Sequence, residues 1–263
     1  MELGLEGRVA VVTGASRGIG RQIGIDLAAE GCHVVLCGRD PAELESTAGV
    51  AEALDVRAVV VAVDLVERHA ASHIARRAVD EFGRIDVLVN NAGGNVPRKL
   101  LALTADDWQA GFEQNFFSAV RLTQACLPVM QAAGWGRIIN VASTFGLEPD
   151  PYFGPYSAAK AALINYSKNL AKAFSADGVL TNCIVPGVTL TEGVEANAAA
   201  AAVRQSITAD DVMAKMMEKD PPAVGRFGDP AEVAAAVVFL AGESASWITG
   251  ACLAVDGGTL RGC

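Results

Sequence analysis

The chain has 263 residues, 51% of them hydrophobic but only 6% aromatic, and a net charge of −9. That length suits one α/β domain with a full two-sided core, and Val/Ile/Leu runs beside Ala-rich segments suit a parallel sheet covered by helices. The acidic balance argues against a nucleic-acid binder, which needs a basic stripe, and no stretch reaches the ~18 apolar residues of a membrane span.

The opening MELGLEGRVAVVTG lacks the cationic region and cleavage pattern of a secretory signal, so a soluble, cytoplasmic protein is expected. Six cysteines (Cys32, Cys37, Cys126, Cys183, Cys252, Cys263) lie far apart without paired metal spacing. They read as reduced thiols, several of them small hydrophobes in strand-like runs. His69 and His73 lie four apart in the charged stretch ERHAASHIARR with no third ligand in view, so no metal site is expected.

Along the chain, RVAVVT (Arg8 to Thr13) reads as a strand, GASRGIG as a glycine turn and RQIGIDLAAEG as a helix. Gly14, Gly18 and Gly20 would permit a tight turn and close backbone approach to a pyrophosphate seated at the helix N-terminus. HVVLC (His33 to Cys37) is the second strand, and Asp40-Pro41-Ala42-Glu43 opens a helix with Asp40 as N-cap and Glu43 closing a capping box. At the end of that strand an acid would bind a ribose 2′-hydroxyl and an arginine a 2′-phosphate. Arg39 there and Arg17 in the glycine loop favour the phosphorylated dinucleotide; Asp40 could still be the ribose acid, but its capping role explains it better.

RAVVVAVD (Arg57 to Asp64) is the third strand, ending in an acid able to receive an adenine amino group. A polar helix over about 66–82 follows, then strand DVLVN and the small-residue loop Asn91-Ala92-Gly93-Gly94. Thr104 caps a helix expected to run unbroken to about Ala133, with Asn115 amid its apolar residues. RIINVA (Arg137 to Ala142) is the fifth strand, with Ser143 at its carboxyl end, and STFGLEPDPYFGP then shapes a loop. Tyr156 and Lys160 are four apart in a helix-forming run, so they share one helix face. VLTNCIVPG is the sixth strand, residues 188–224 form an Ala- and Met-rich insertion of the kind that makes lids, Asp229-Pro230-Ala231-Glu232 starts another helix, and ACLAVDGG is the last strand.

TGASRGIG (13–20), Asp64, NNAG (90–93), Asn115, Ser143, Tyr156 with Lys160, Pro186-Gly187 and the ending SASWITGACLAVDGG together resemble the short-chain dehydrogenase/reductase family over nearly the whole chain. Ser143 precedes Tyr156 by thirteen residues, as in members similar to 3-oxoacyl-carrier-protein reductases. The resemblance implies one domain spanning 1–263, a Rossmann-type doubly wound α/β fold, and seven parallel strands in the order 3-2-1-4-5-6-7. It implies that Tyr156 is the general acid/base, that Lys160 lowers its pKa and holds the nicotinamide ribose, that Ser143 hydrogen-bonds the substrate oxygen, and that Asn115 anchors a proton-relay water chain. It further implies that Gly14, Ser16, Arg17, Gly18, Ile19, Gly20, Arg39, Asp64, Leu65, Asn91, Ala92, Gly93, Pro186, Gly187, Thr189 and Thr191 bind the cofactor along with Tyr156 and Lys160.

The expected activity is NADP(H)-dependent hydride transfer, with NADP(H) preferred over NAD(H), on a small-molecule carbonyl or secondary alcohol. An alternative is reduction of a 3-oxoacyl thioester on a carrier protein or CoA, which the acidic charge disfavours for an acidic carrier. An alternative of another class is a non-catalytic dinucleotide-binding regulator, which would have no need of Ser143 beside Tyr156. The substrate depends on loops 94–103, 144–155 and 188–224. The resemblance implies a homotetramer, assembled through the Ala-rich Tyr/Lys helix and the edge strand at the C-terminus.

Overall fold

Seven apolar, β-branched runs become seven strands, and all of them pair in parallel. The computed structural model describes residues 2–262. Its strands are β1 (Val9–Thr13), β2 (His33–Gly38), β3 (Ala58–Ala62), β4 (Val87–Asn90), β5 (Gly136–Val141), β6 (Val179–Pro186) and β7 (Cys252–Val255). The helices are α1 (Gly18–Ala29), α2 (Pro41–Glu52), α3 (Ala70–Phe82), α4 (Ala105–Phe112), α5 (Ser118–Ala133), α6 (Gly154–Phe174), α7 (Glu192–Gln205), α8 (Ala209–Lys219) and α9 (Pro230–Ala241). The sheet order is β3-β2-β1-β4-β5-β6-β7, the doubly wound Rossmann-type arrangement that the motifs imply.

The central strands are apolar throughout because helices cover both faces. Ala10, Val12, Val34, Leu36, Val87 and Val89 share one cluster with Ile23 and Leu27 of α1 and Val233 and Val237 of α9. The alternate residues Val9, Val11, Val35, Cys37 and Leu88 pack with Ile74 and Ala78 of α3 and with Leu122, Cys126 and Met130 of α5. This period of two fixes the register, because a one-residue slip would exchange the two clusters. Strand order reverses between β1 and its neighbours β2 and β4, which opens a crevice at the carboxyl ends of the strands.

Three expectations need correction. The helix placed over 66–82 begins only at Ala70, because Asp64 turns the chain by accepting from the Val66 N–H at 3.2 Å. The helix expected from Thr104 to Ala133 is broken into α4 and α5 by a π-helical segment, Glu113–Phe117. The Asn115 side-chain amide donates to the Gly111 carbonyl four residues back, so the backbone ladder widens by one residue there. At Asp40 only half of the expected capping box forms, with Asp40 accepting from the Ala42 and Glu43 amides. Full boxes close at Thr104/Asp107, Thr208/Asp211 and Asp229/Glu232.

The insertion 188–224 folds as the pair α7–α8 around its own small core of Ala198, Ala202 and Val212. Among the described residues, no helix is long and apolar enough to cross a membrane. Five described cysteines are free, and Cys263 lies outside the described residues.

Candidate active site

The carboxyl end of β5 delivers Ser143, and α6 then carries Tyr156 and Lys160 past it, one turn apart. The Lys160 side chain is only 3% exposed, and its Nζ donates to the Val141 carbonyl at 2.7 Å. On the far side stands Asn115, 2% exposed, whose Oδ1 accepts the Gly94 N–H while its Nδ2 donates to the Gly94 and Gly111 carbonyls, each at 3.0 Å. Gly93 separates the two side chains. A β-carbon at Gly93 would stand 2.7 Å from Asn115 Oδ1 and 3.3 Å from Lys160 Nζ, so the absence of a side chain lets them approach. Ser143, Tyr156, Lys160 and Asn115 thus come from three separate parts of the chain to one place.

Burial pushes the Lys160 ammonium down to about 8, with the nearby Cys183 thiol opposing the shift. Burial pushes the Tyr156 phenol above its ordinary value, and a hydrogen bond with Ser143 pulls it the other way. The expected role of Lys160 in lowering that phenol is not what dominates here. Its Nζ lies 5.6 Å from the Tyr156 ring centre and is turned to the Val141 carbonyl.

The residues expected to hold a dinucleotide fall at the carboxyl ends of β1, β2, β3, β4 and β6 and in the segments that follow them. Gly14 and Gly18 both adopt the left-handed region, with φ of +67° and +55°, which glycine adopts without strain. A β-carbon on Gly20 would lie 2.2 Å from the Gly14 carbonyl oxygen, so the turn closes only with glycine there. Arg17 stands at the N-cap of α1, exposed, and Ser16 and Ile19 flank it. Arg39 and Asp64 line a cleft of about 380 Å³ together with Glu67, His69 and His73. Leu65 follows Asp64, its carbonyl facing Arg121.

Several expected contact residues also carry the scaffold. The amides of Asn91 and Ala92 both donate to the Thr13 hydroxyl, and Asn91 Nδ2 donates to the Thr13 carbonyl at 2.9 Å. Gly187 packs against the backbone of Asp256 just after Pro186, the end of β6. Thr189 is buried and donates to the Gly187 carbonyl, while Thr191 caps α7 by accepting from Val194.

An anion already tests the glycine loop. The Gly18 N–H, at the start of α1, donates to Glu192 Oε2 at 3.0 Å. A carboxylate at a helix N-terminus sits where backbone amides and the helix dipole favour negative charge. The start of α1 therefore fits an anion such as a phosphate.

Sequence reasoning missed Glu192, whose partner lies 174 residues away. It missed a buried polar chain as well: Asn90 donates to Thr123 and Asn140, and Asn140 donates to Ser167, joining β4, β5 and α6 behind the site. The repeated Asn at the same register of paired strands, Asn90 opposite Asn140, was a signal available in the sequence. The Lys219–Asp150 ion pair, which ties the end of α8 to the loop after β5, had no such signal.

Two measurements check this geometry. Replacing Glu192 with Ala removes a competing anion, and charge at a helix end is worth roughly 0.3–1 kcal/mol. Glu192→Ala should therefore bind NADPH about two- to fivefold more tightly in a fluorescence titration; unchanged or weaker binding counts against the reading. For Lys160, the folded pKa is about 8 against an ordinary 10.5, so the unfolded chain holds more protons between those values. Stability contributed by this group must then rise with pH across that window. Relative to Lys160→Met, the wild type should gain about 1–2 kcal/mol in urea unfolding between pH ~7.5 and ~9.5, and a flat or falling difference contradicts the burial.

Comparison with known proteins agrees with this geometry. A family model for short chain dehydrogenases matches residues 8–202. An uncharacterized oxidoreductase of Mycobacterium tuberculosis is 37% identical over 255 residues, covering 97% of this chain and 92% of that protein. The 3-oxoacyl-[acyl-carrier-protein] reductase FabG of Aquifex aeolicus is 34% identical, covering 98% of this chain and 99% of that one. Among solved structures, L-sorbose reductase from Gluconobacter frateurii, complexed with NADPH and L-sorbose, superimposes with a TM-score of 0.95 at 34% identity and full coverage of both chains. A 3-oxoacyl (acyl-carrier-protein) reductase from Agrobacterium tumefaciens with NADP bound gives 0.86 at 34% identity, covering 97% and 95%. With the ordered motifs, the parallel sheet and the Ser143/Tyr156/Lys160 cluster, these matches make the chain a member of the short-chain dehydrogenase family, an oxidoreductase by kinship.

Proposed function

We propose that the protein is an NADP(H)-dependent oxidoreductase that interconverts a carbonyl and a secondary alcohol. The observation that carries this reading is the meeting of Asn115, Ser143, Tyr156 and Lys160 at the carboxyl end of the sheet, with Lys160 anchored to Val141 and Asn115 anchored to Gly94. A binding module would have no use for a hydroxyl, a phenol and a buried ammonium at one point.

A dinucleotide held by the glycine loop and Arg39 would supply or accept the hydride. Around it, Tyr156 gives the proton to the substrate oxygen in reduction and removes it in oxidation. Ser143, whose hydroxyl lowers the phenol of Tyr156, steadies the same oxygen as charge develops on it. Lys160, with its pKa near 8, is poised to pass protons at mildly alkaline pH. Asn115 is locked by three backbone partners and holds Gly94 in place; it serves as the fixed end of a relay to solvent.

The choice of NADP(H) rests on Arg39, which is exposed at the end of β2 and lines the same cleft as Asp64. The neighbouring acid Asp40 is engaged in capping α2. NADPH in the L-sorbose reductase complex and NADP in the Agrobacterium reductase support the same choice. The names of the Aquifex relative and the Agrobacterium structure favour a second reading, reduction of a 3-oxoacyl thioester.

Oxidation of NADPH with small ketones and acyl thioesters tests both. Tyr156→Phe should keep the fold and dinucleotide affinity but lose ~10²–10⁴-fold in turnover, and near wild-type turnover would end the mechanism. Arg39→Ala should shift the NADPH/NADH preference at least tenfold toward NADH, since a charge-assisted hydrogen bond is worth roughly 1.5–3 kcal/mol. Equal losses with both cofactors, or a wild type that prefers NADH, would rule that assignment out.

A further inference from the structure

The walls around Tyr156 are joined to one another by their polar groups. The Arg98 N–H donates to the Tyr152 carbonyl at 2.9 Å, linking loop 94–103 to the loop after β5. Asp150, in that second loop, accepts from the Tyr152 amide and pairs with Lys219 of α8. Glu148 accepts the Arg261 amide at 2.8 Å, and Arg98 is paired with Asp107. Asp150, Glu148 and the Arg98 side chain are each engaged in an ion pair or in a hydrogen bond to backbone.

Beside the phenol the loops also place aromatic and aliphatic side chains. Phe145 stands edge-on to the Tyr156 ring, with centroids 6.4 Å apart and planes at 89°. Phe153 stacks on Phe145 at 5.3 Å and 20°. Leu100 and Trp108 close in around Gly154, two residues before Tyr156, with Leu100 Cδ1 3.0 Å from where a β-carbon on Gly154 would stand. Leu100, Leu147 and Tyr152 are all about half exposed. Large exposed apolar residues gathered on the loops of a cleft mark a surface that takes an apolar ligand.

Resting on the oxidoreductase reading above, we infer that the substrate is an aryl alkyl ketone or the matching secondary alcohol, its ring seated on the Phe145–Phe153 stack and its oxygen at Tyr156 and Ser143. A ring would gain offset or edge-on packing with two aromatic planes already fixed relative to each other. A polyhydroxylated ketose would lay several hydroxyls against the Phe145 and Phe153 rings, which offer them no hydrogen bond, and each unpaired hydroxyl buried there would weaken binding.

The test is a comparison of kcat/KM with NADPH for acetophenone, butanone, a ketohexose and a 3-oxobutanoyl thioester of N-acetylcysteamine. Acetophenone should exceed the ketohexose by about a hundredfold or more, since several unpaired hydroxyls add their penalties. In Phe153→Ala, the acetophenone/butanone ratio of kcat/KM should fall about tenfold, mostly through KM, because a binding plane is lost while the proton donor stays. A ratio within one variant is insensitive to any loss of folded protein. Preference for the ketohexose or the thioester, or an unchanged ratio in Phe153→Ala, overturns the inference and leaves the oxidoreductase reading standing. Turnover of none of the four by an enzyme that binds NADPH overturns the oxidoreductase reading itself.

Discussion

A lysine with almost no contact with water cannot hold a proton unless its surroundings replace hydration, and Lys160 is such a lysine. Its one direct hydrogen bond is to the Val141 carbonyl, the last residue of β5. Removing a charge from water disfavours the charged form, which is why this ammonium lies near 8. The rest of the site is arranged to make that placement possible. The strand must end at Val141 so that its carbonyl is free, Gly93 must lack a side chain so that Asn115 and Lys160 can approach, and α6 must hold Tyr156 one turn from the amine.

The scaffold that achieves this was largely legible in the chain. Apolar runs of four to eight residues gave the strands, Asp-Pro-x-Glu gave the starts of α2 and α9, and the glycine turn after β1 gave the crevice. These signals are local, since each depends on residues a few positions apart whose sterics or hydrogen bonds act within one turn. Asn115 was recognised as unusual within a helix, yet the π-helical segment around it was not foreseen. The deviation needs a second partner, Gly94, from another part of the chain.

What was not legible has one physical character. The Asp150–Lys219 pair, the Glu192–Gly18 contact and the Phe145–Phe153–Tyr156 stack join residues whose proximity depends on how loops of irregular shape settle. Loop backbone has no period, so no pattern announces which side chains will meet. The direction of the Tyr156 shift belongs to the same class. Tyr156 and Lys160 sit one turn apart in the sequence pattern, but whether burial or the neighbouring charge dominates the phenol depends on depth and on where the ammonium points.

On the proposed reading of the glycine loop as a phosphate site, the hydrogen bond between Glu192 and the Gly18 amide makes the protein its own competitor there. A tethered group of this kind acts at a fixed effective concentration, set by the length and stiffness of the segment that carries it. Any dinucleotide must meet the same displacement penalty, because the pyrophosphate is common to all of them. The penalty multiplies every dissociation constant by one factor, as a partly populated competent state does. On that reading, discrimination between the two nicotinamide cofactors is untouched by Glu192 and is left to the adenosine end of the proposed site, so that absolute affinity and selectivity would be governed by separate parts of the molecule and free to vary independently.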